Sequence, residues 1–358
     1  MIIAIQPDNY TTQATPDKCD ASSPRWAELL ERAGHEVRWV NVYLADILDQ
    51  LQGCQGFMWR WGHVAGMYRI ARRLLPVVEK ELGLAVYPDQ NTCWHYDDKI
   101  AERYLLEAAG IPIPRTWIWF DAAAAAEWAR SAEYPLVLKL HAGAGSTNVR
   151  LVHSCREAEA WVRRLFDRGV YDLTDNHGKP RIRNWQQTLR AAAKTVLRGE
   201  PWRDPSALRE LHRGYALFQE FLPNNDFDTR VTVIGNRAFG FRRFNRPNDF
   251  RASGSGNIDM DPGKVDLATV RLAFLCAQRL KTQSVAIDGL RRGDDRLIGE
   301  ISYTYVSWVV HDCPGHWILE GSPESGDLVW RDGPVWPEEA QIADFLPRLG
   351  QTRGVHGT

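Results

Sequence analysis

Phe218–Gly235 reads FQEFLPNNDFDTRVTVIG, Asn248–Gly256 reads NDFRASGSG, and Ala286–Ser302 reads AIDGLRRGDDRLIGEIS. In the last of these, Asp288 and Glu300 each sit in a short apolar run, on either side of the polar turn RRGDDR. Two antiparallel strands joined by that turn would bring both carboxylates onto one sheet face. Hard oxygen ligands from two strands suit Mg²⁺ when the ion also holds substrate phosphates. The plain alternative is a hairpin whose acids face water.

Upstream, the first ninety residues alternate strand and helix: IIAIQP, then SPRWAELLERAG closing at Gly34, then HEVRWVNVY, followed by DILDQLQGC, GFMWRW, MYRIARRLLPVVEKELG and LAVYP. Such alternation implies a small parallel sheet flanked by helices. The first strand is not followed by GxGxxG, so the dinucleotide fingerprint is absent. Asp8, Asn9 and Tyr10 follow that strand, either lining a cleft or forming a turn.

DDKIAERYLLEAAGIPIP reads as a helix closed by Gly110 and stopped by prolines. YPLVLKLHAGAGSTNVRLV then gives strand, glycine-rich turn and strand. Lys139 lies inside the apolar strand, where a cation is costly without an anionic partner. Gly143 and Gly145 let the turn's amides curl round phosphate oxygens. Residues 155–215 form an elaboration that opens with the helix CREAEAWVRRLFDRG. Its later part is basic (Lys179, Arg181, Arg183, Arg190, Lys194, Arg198), a pattern that suits solvated helix faces first and an anionic acceptor second. Beyond Trp317 the chain is rich in Trp, Pro and Gly and reads as an irregular tail, anchored by Trp330 and Trp336.

The 358 residues suggest two or three domains. A hydrophobic content of 44% with 25% charged residues is that of a soluble globular protein, and a net charge of -1 offers no whole-molecule attraction to nucleic acid or membrane. No apolar run approaches the ~20 residues of a spanning helix, and the N-terminus lacks a signal-peptide pattern. The six scattered cysteines form no CxxC and suit reduced thiols in a cytoplasmic setting.

Together these segments resemble the ATP-grasp superfamily, most closely its ribosomal-protein-modifying glutamate ligase branch. The resemblance covers about residues 95–305, with the leading α/β unit matching the family's preceding domain. VLKLHAGAGSTNV is similar to the phosphate-side strand and glycine loop, FQEFLP to the adenine-reading hinge, and DTR to the family's DIR. FRASGSG is similar to FRSN with its glycine pair, and Asp288, Glu300 and Ser302 fall on the metal-ligand triad. The implied fold is α/β, of the α+β ATP-grasp kind. A small parallel domain (1–92) precedes a central subdomain (93–221, with the basic insertion), a metal-bearing subdomain (222–318) and the tail (319–358).

Carried over by residue, the resemblance implies that Lys99 and Lys139, with Gly143, Gly145 and Ser146 of the loop, hold ATP phosphates. Glu220, Phe221 and Leu222 would meet adenine, and Asp228 the ribose. Arg251 would act on the transferring phosphate and acyl-phosphate, with Ser253 nearby. Asp288, Glu300 and Ser302 would hold one or two Mg²⁺, with Mn²⁺ able to substitute. Arg230 suits a scaffold ion pair as well as substrate binding, and His141 suits a turn as well as a proton shuttle.

The chain departs from the family at Ser302, where the relatives carry Asn, and at the loop AGAGSTN. It departs again in YTYVSWVVHDCPGHW, whose aromatics are expected to shape a different acceptor pocket. EISY with the CPG-W segment also resembles ATP-grasp proteins that accompany surface-polysaccharide assembly. The implied activity is ATP-dependent joining of a small-molecule carboxylate to an amine through an acyl-phosphate. The alternatives are a kinase of the same fold and a non-catalytic nucleotide-binding scaffold. Neither nucleic acid nor membrane is an expected partner, and the oligomeric state, a homodimer included, is left open.

Overall fold

The computed structural model describes residues 1–8, 21–62, 65–143, 148–171, 211–247 and 249–350. Asn9, Tyr10, Gly145, Ser146 and the basic stretch from Lys179 to Arg198 lie outside these residues.

Four short apolar runs, β1 (Ile2–Ile5), β2 (Glu36–Trp39), β3 (Gly56–Met58) and β4 (Ala85–Tyr87), pair in the order β2-β1-β3-β4. All three pairings are parallel, as the helix-strand alternation requires, because each return crosses over through a helix. Those helices are α1 (Ser23–Arg32), α2 (Ile47–Gln50) and α3 (Ala65–Pro76). Gly34 follows α1 at φ 80°, the left-handed geometry that ends a helix without a Cβ clash.

After the short α4 (Gln90–Cys93), α5 (Lys99–Ala108) begins at Asp98, whose side chain accepts from the amides of Ile100 and Ala101. A second, antiparallel sheet follows: β5 (Thr116–Trp119), β6 (Leu136–Lys139), β7 (Val149–Val152) and β8 (Ala216–Glu220), ordered β5-β8-β6-β7. Its inner side is covered by α6 (Ala122–Ser131) and α7 (Cys155–Phe166), which bury Ala125, Ala129, Val162 and Leu165 against Leu138 and Phe218.

The third sheet holds β9 (Phe227–Ile234), β10 (Arg237–Phe244), β11 (Ile258–Asp259), β12 (Ser284–Arg292), β13 (Asp295–Ser302), β14 (Gly315–Glu320) and β15 (Asp327–Asp332). Its order is β13-β12-β9-β10-β14-β15, with β11 on β10. Helix α8 (Leu267–Leu280) packs on it through Val270, Ala273 and Phe274, and Leu106 of α5 joins the same core.

The expectation of an irregular tail is corrected. Residues 327–332 form β15 and α10 (Pro337–Phe345) follows it, while α9 (Ser307–His311) lies earlier, between β13 and β14. The apolar positions Ile342, Phe345 and Leu349 explain the order, since they cover the face of the first sheet that α1 shares, beside Trp26 and Leu30. Gly56 marks the closest approach: a Cβ there would meet Leu349 Cδ2 at 2.9 Å. Trp330 packs edge-on against Trp317, and Trp336 stacks on His311 at 3.9 Å with the Arg25 guanidinium over its ring.

The aromatics after Ser302 also differ from expectation. Instead of shaping an acceptor pocket, Tyr303 is buried in the first sheet's core beside Trp61 and Tyr96, and its hydroxyl donates to the Trp61 carbonyl and accepts from the Trp61 amide. Tyr305 OH bonds Ser284 Oγ at 2.7 Å and Gln341 Nε2 at 2.8 Å. Asp8 is not a cleft residue either. It is buried, accepting from the Ser22 and Ser23 amides and from Ser23 Oγ, so it caps the entry to α1.

Candidate active site

A cavity of about 720 Å³ opens between the second and third sheets. Its apolar end is bordered by Val137, Val149, Leu151, Phe221, Leu222 and Leu290, and its polar end by Lys139, Asp288, Glu300 and Arg251. Phe221, from the segment after β8, meets Phe250 edge-on at 5.8 Å, so an aromatic pair spans the two sides.

The polar end is a product of strand register. Asp288 and Glu300 are direct partners across β12 and β13, so their side chains share one face, as the hairpin reading expects. On its other side Asp288 is the direct partner of Arg230 on β9. Arg230 grips it with Nε at 2.5 Å and Nη2 at 3.0 Å. Arg243 of β10 lies opposite Asp228 and binds both of its oxygens at 2.8 and 2.6 Å, while its Nη2 also reaches Asp288 Oδ1 at 2.7 Å. Although burial opposes ionisation of Asp288, Arg230 and Arg243 hold its carboxyl down at about 2. Arg230 is therefore an ion-pair partner of the carboxylates. Asp228 is engaged by Arg243 in this structure.

Glu300 is half-exposed, and among the described residues its ion pair is with Lys99 Nζ at 3.4 Å. The same ammonium donates to the Gly143 carbonyl at 3.0 Å, and the Gly143 amide donates to Asp97 Oδ1 at 2.7 Å. Gly143 takes φ 115°, a backbone setting that other residues rarely adopt. Burial works against the charge on Lys99, but Glu300, Glu102 and Asp97 outweigh it and hold the ammonium above its usual range. Lys139, on β6, forms no ion pair among the described residues; burial lowers its pKa and Glu300 opposes the shift.

Directly opposed carboxylates repel. Asp288 is neutralised by guanidinium groups, whereas Glu300 keeps open oxygens that face the cavity. This donor set fits a hard divalent cation. Ser302 shares the face, but its hydroxyl donates to the Thr304 carbonyl at 2.9 Å and accepts from the Thr304 amide at 3.2 Å. The three-ligand expectation thus narrows to the two acids, and no group of three acidic, His or Cys side chains able to hold a metal occurs among the described residues.

Two further expectations are refined. The Glu220 side chain is taken up by the Arg115 amide at 2.7 Å, Arg115 Nε at 2.9 Å and Arg292 Nη1 at 2.9 Å, and its own amide donates to the Arg115 carbonyl at 2.9 Å. Arg251 lines the cavity, clamped by Asp249 through Nε at 2.9 Å and Nη2 at 2.6 Å. Ser253 borders the same cavity, its carbonyl accepting from Arg246 Nη2 at 2.8 Å. His141 stacks edge-on with His212 at 4.9 Å and with Tyr215 at 5.6 Å, beside the glycine turn. Sequence reasoning missed Arg243, Asp249, Arg115, Arg292 and Glu102. For Asp249 the signal was its place two residues before Arg251.

No family model matches the chain, and no curated protein does. Among solved structures it is similar to the ATP-grasp ligase PsnB complexed with minimal precursor, at 15% identity over 96% of this chain and 98% of that one, with a TM-score of 0.53. It is also similar to the ADP complex of N5-carboxyaminoimidazole ribonucleotide synthetase, purK (12% identity, 90% and 74% of the chains, TM-score 0.52). A third likeness is to D-alanine–D-alanine ligase from Bacillus anthracis complexed with ATP (11% identity, 88% and 89%, TM-score 0.50). The chain has the ATP-grasp fold.

Proposed function

We propose that the protein is an ATP-dependent carboxylate–amine ligase. The observation that carries this reading is the cavity's polar end, where Lys139, in no ion pair among the described residues, stands beside the opposed carboxylates Asp288 and Glu300. Cations to receive phosphate oxygens and acids to hold Mg²⁺ are the parts that phosphoryl transfer needs. The solved structures of this fold include ATP and ADP complexes, which agrees with a nucleotide here.

Glu300, with Asp288 behind it, would hold Mg²⁺, whose charge offsets that of the phosphates. Lys139 would bind the phosphate oxygens, with Lys99 behind Glu300 adding positive charge from outside the cavity lining, and the apolar end with the Phe221–Leu222 main chain would take the base. A substrate carboxylate oxygen attacks the γ-phosphorus, the bond to the β-phosphate oxygen breaks, and ADP leaves. Arg251 steadies the resulting acyl-phosphate. An amine then attacks the acyl carbon, phosphate departs with the bonding pair, and the amine's surplus proton passes to solvent, leaving an amide. Enclosure between the two sheets limits hydrolysis of the intermediate. Small-molecule substrates and a cytoplasmic setting belong to the same proposal. Among the described residues, no helix is long and apolar enough to cross a membrane.

Pooled carboxylates and amines, supplied with Mg·ATP, are expected to trigger ADP release with a new amide detectable by mass. Phosphorylated product without amide formation would identify a kinase instead. Lys139→Met is expected to weaken ATP binding by about 1.5–3 kcal/mol, the worth of a hydrogen bond to a charged group. Calorimetric titration with ATP measures this, and unchanged affinity would remove Lys139 from the phosphate site.

A further inference from the structure

The chain passes from the second sheet to the third through residues 221–226, the segment between β8 and β9. Phe221 and Leu222 border the apolar end of the large cavity, and Asn224, Asn225 and Asp226 border the cavity as well. The turn is held from within by Asn225. Its Oδ1 accepts from the Arg291 amide at 2.9 Å, and its Nδ2 donates to the Arg291 carbonyl at 2.9 Å. The carboxamide thus satisfies both main-chain groups of a residue near the end of β12, much as a paired strand would. That double contact fixes the amide's orientation, since a flip would set oxygen against carbonyl oxygen. Nδ2 also reaches the Leu222 and Pro223 carbonyls at 3.4 and 3.3 Å, which closes the turn on itself. On the other side, Asn245 Nδ2 donates to the Asn225 carbonyl at 2.7 Å, and the Asn245 amide to the Asp226 carbonyl at 2.9 Å. Asn224 takes φ 62°, a left-handed setting that persists where surrounding contacts impose it.

Resting on the ligase reading above, we propose that Asn225 is a positioning residue for the base of the nucleotide. By pairing with Arg291 it fixes the Phe221–Leu222 main chain relative to the third sheet. The same strand, β12, carries Asp288 at the polar end, so one strand sets the distance between base and metal. Arg292, the next residue after Arg291, meets Glu220 Oε1 at 2.9 Å and steadies the start of the turn. Truncating Asn225 leaves the Arg291 main-chain groups to water and releases the turn from β12. Lys139 stands on β6 and takes no part in this pairing, so the loss should fall on contacts to the base.

The test is calorimetric titration with two probes, Mg·ADP and magnesium tripolyphosphate, the second of which has neither base nor ribose. Asn225→Ala is expected to weaken Mg·ADP binding about tenfold, the worth of one or two hydrogen bonds, and to leave tripolyphosphate binding at the parent level. Asn225→Asp keeps an acceptor for the Arg291 amide but sets an oxygen against the Arg291 carbonyl, so the same loss is expected. Should the alanine variant fail to fold, the aspartate variant carries the test. Parent-level Mg·ADP affinity in either folded variant overturns the proposal. So does an equal loss for both probes, which would mark a general disturbance of the site. Failure of the underlying ligase reading looks different: the unmodified protein then binds neither probe, or phosphorylates a substrate without forming an amide.

Discussion

Glu300→Ala is expected to lower ATP-dependent ADP formation by about 10²–10³-fold, the scale seen when one well-placed electrostatic group is removed from a transition state. The side chain is half-exposed, and among the described residues its ion pair is with Lys99 alone, so the fold should survive the change. What is lost is specific. Asp288 already serves two guanidinium groups, and Ser302 is engaged by its own turn, which leaves Glu300 as the carboxylate with open oxygens on this face. The measurement is ADP release across a range of Mg²⁺ concentrations, with thermal denaturation as a check on folding. A variant that forms ADP at the original rate and at the original Mg²⁺ requirement would show that the cation is held elsewhere.

The second large effect is on stability. Asp288→Asn removes the charge that balances Arg230 and shares Arg243 with Asp228, leaving buried guanidinium charge underpaired. Breaking a buried pair from one side costs about 3–5 kcal/mol. Asp228 still pairs with Arg243, so the low end of that range is expected, and urea denaturation at pH 7 measures it. The pH dependence follows from the depressed carboxyl. Held at about 2 in the folded protein against roughly 3.9 in an unfolded chain, Asp288 contributes stability that is present in full above pH ~4 and fades as pH falls toward ~2. The asparagine variant should therefore lie closest to the parent at the acid end of that window. A deficit below about 1 kcal/mol at pH 7 would mean that the network is not holding these strands together.

Much of this arrangement could be read from the chain. The Asp288–Glu300 pairing follows from period-two alternation on both sides of a polar turn, and the parallel first sheet follows from strands separated by helix-length segments. Arg243 was legible but overlooked. Ile234 and Arg237 flank the two-residue turn Gly235–Asn236, and counting outward from that pair sets Asp228 against Arg243. Other features depend on distance in space. Lys99 gains its partner Glu300 from a strand far along the chain, and a single apolar-faced helix says nothing of which edge it will cover. The tail misled because its Trp, Pro and Gly content resembles loop composition, whereas Ile342, Phe345 and Leu349 are ordered by a sheet face formed at the opposite end of the chain.

Tyr303 sits three residues past Glu300, with its ring inside the first sheet's core. The N-terminal unit is therefore no detachable accessory to the nucleotide-gripping half. A shortened protein that began near residue 95 would expose the Tyr303 ring and cut the far mooring of the strand that carries Glu300. Exchange of N-terminal units between proteins of this fold, as a route to new substrate choice, would have to carry the Trp61 side of that contact along, or re-cut Tyr303 to match the incoming partner.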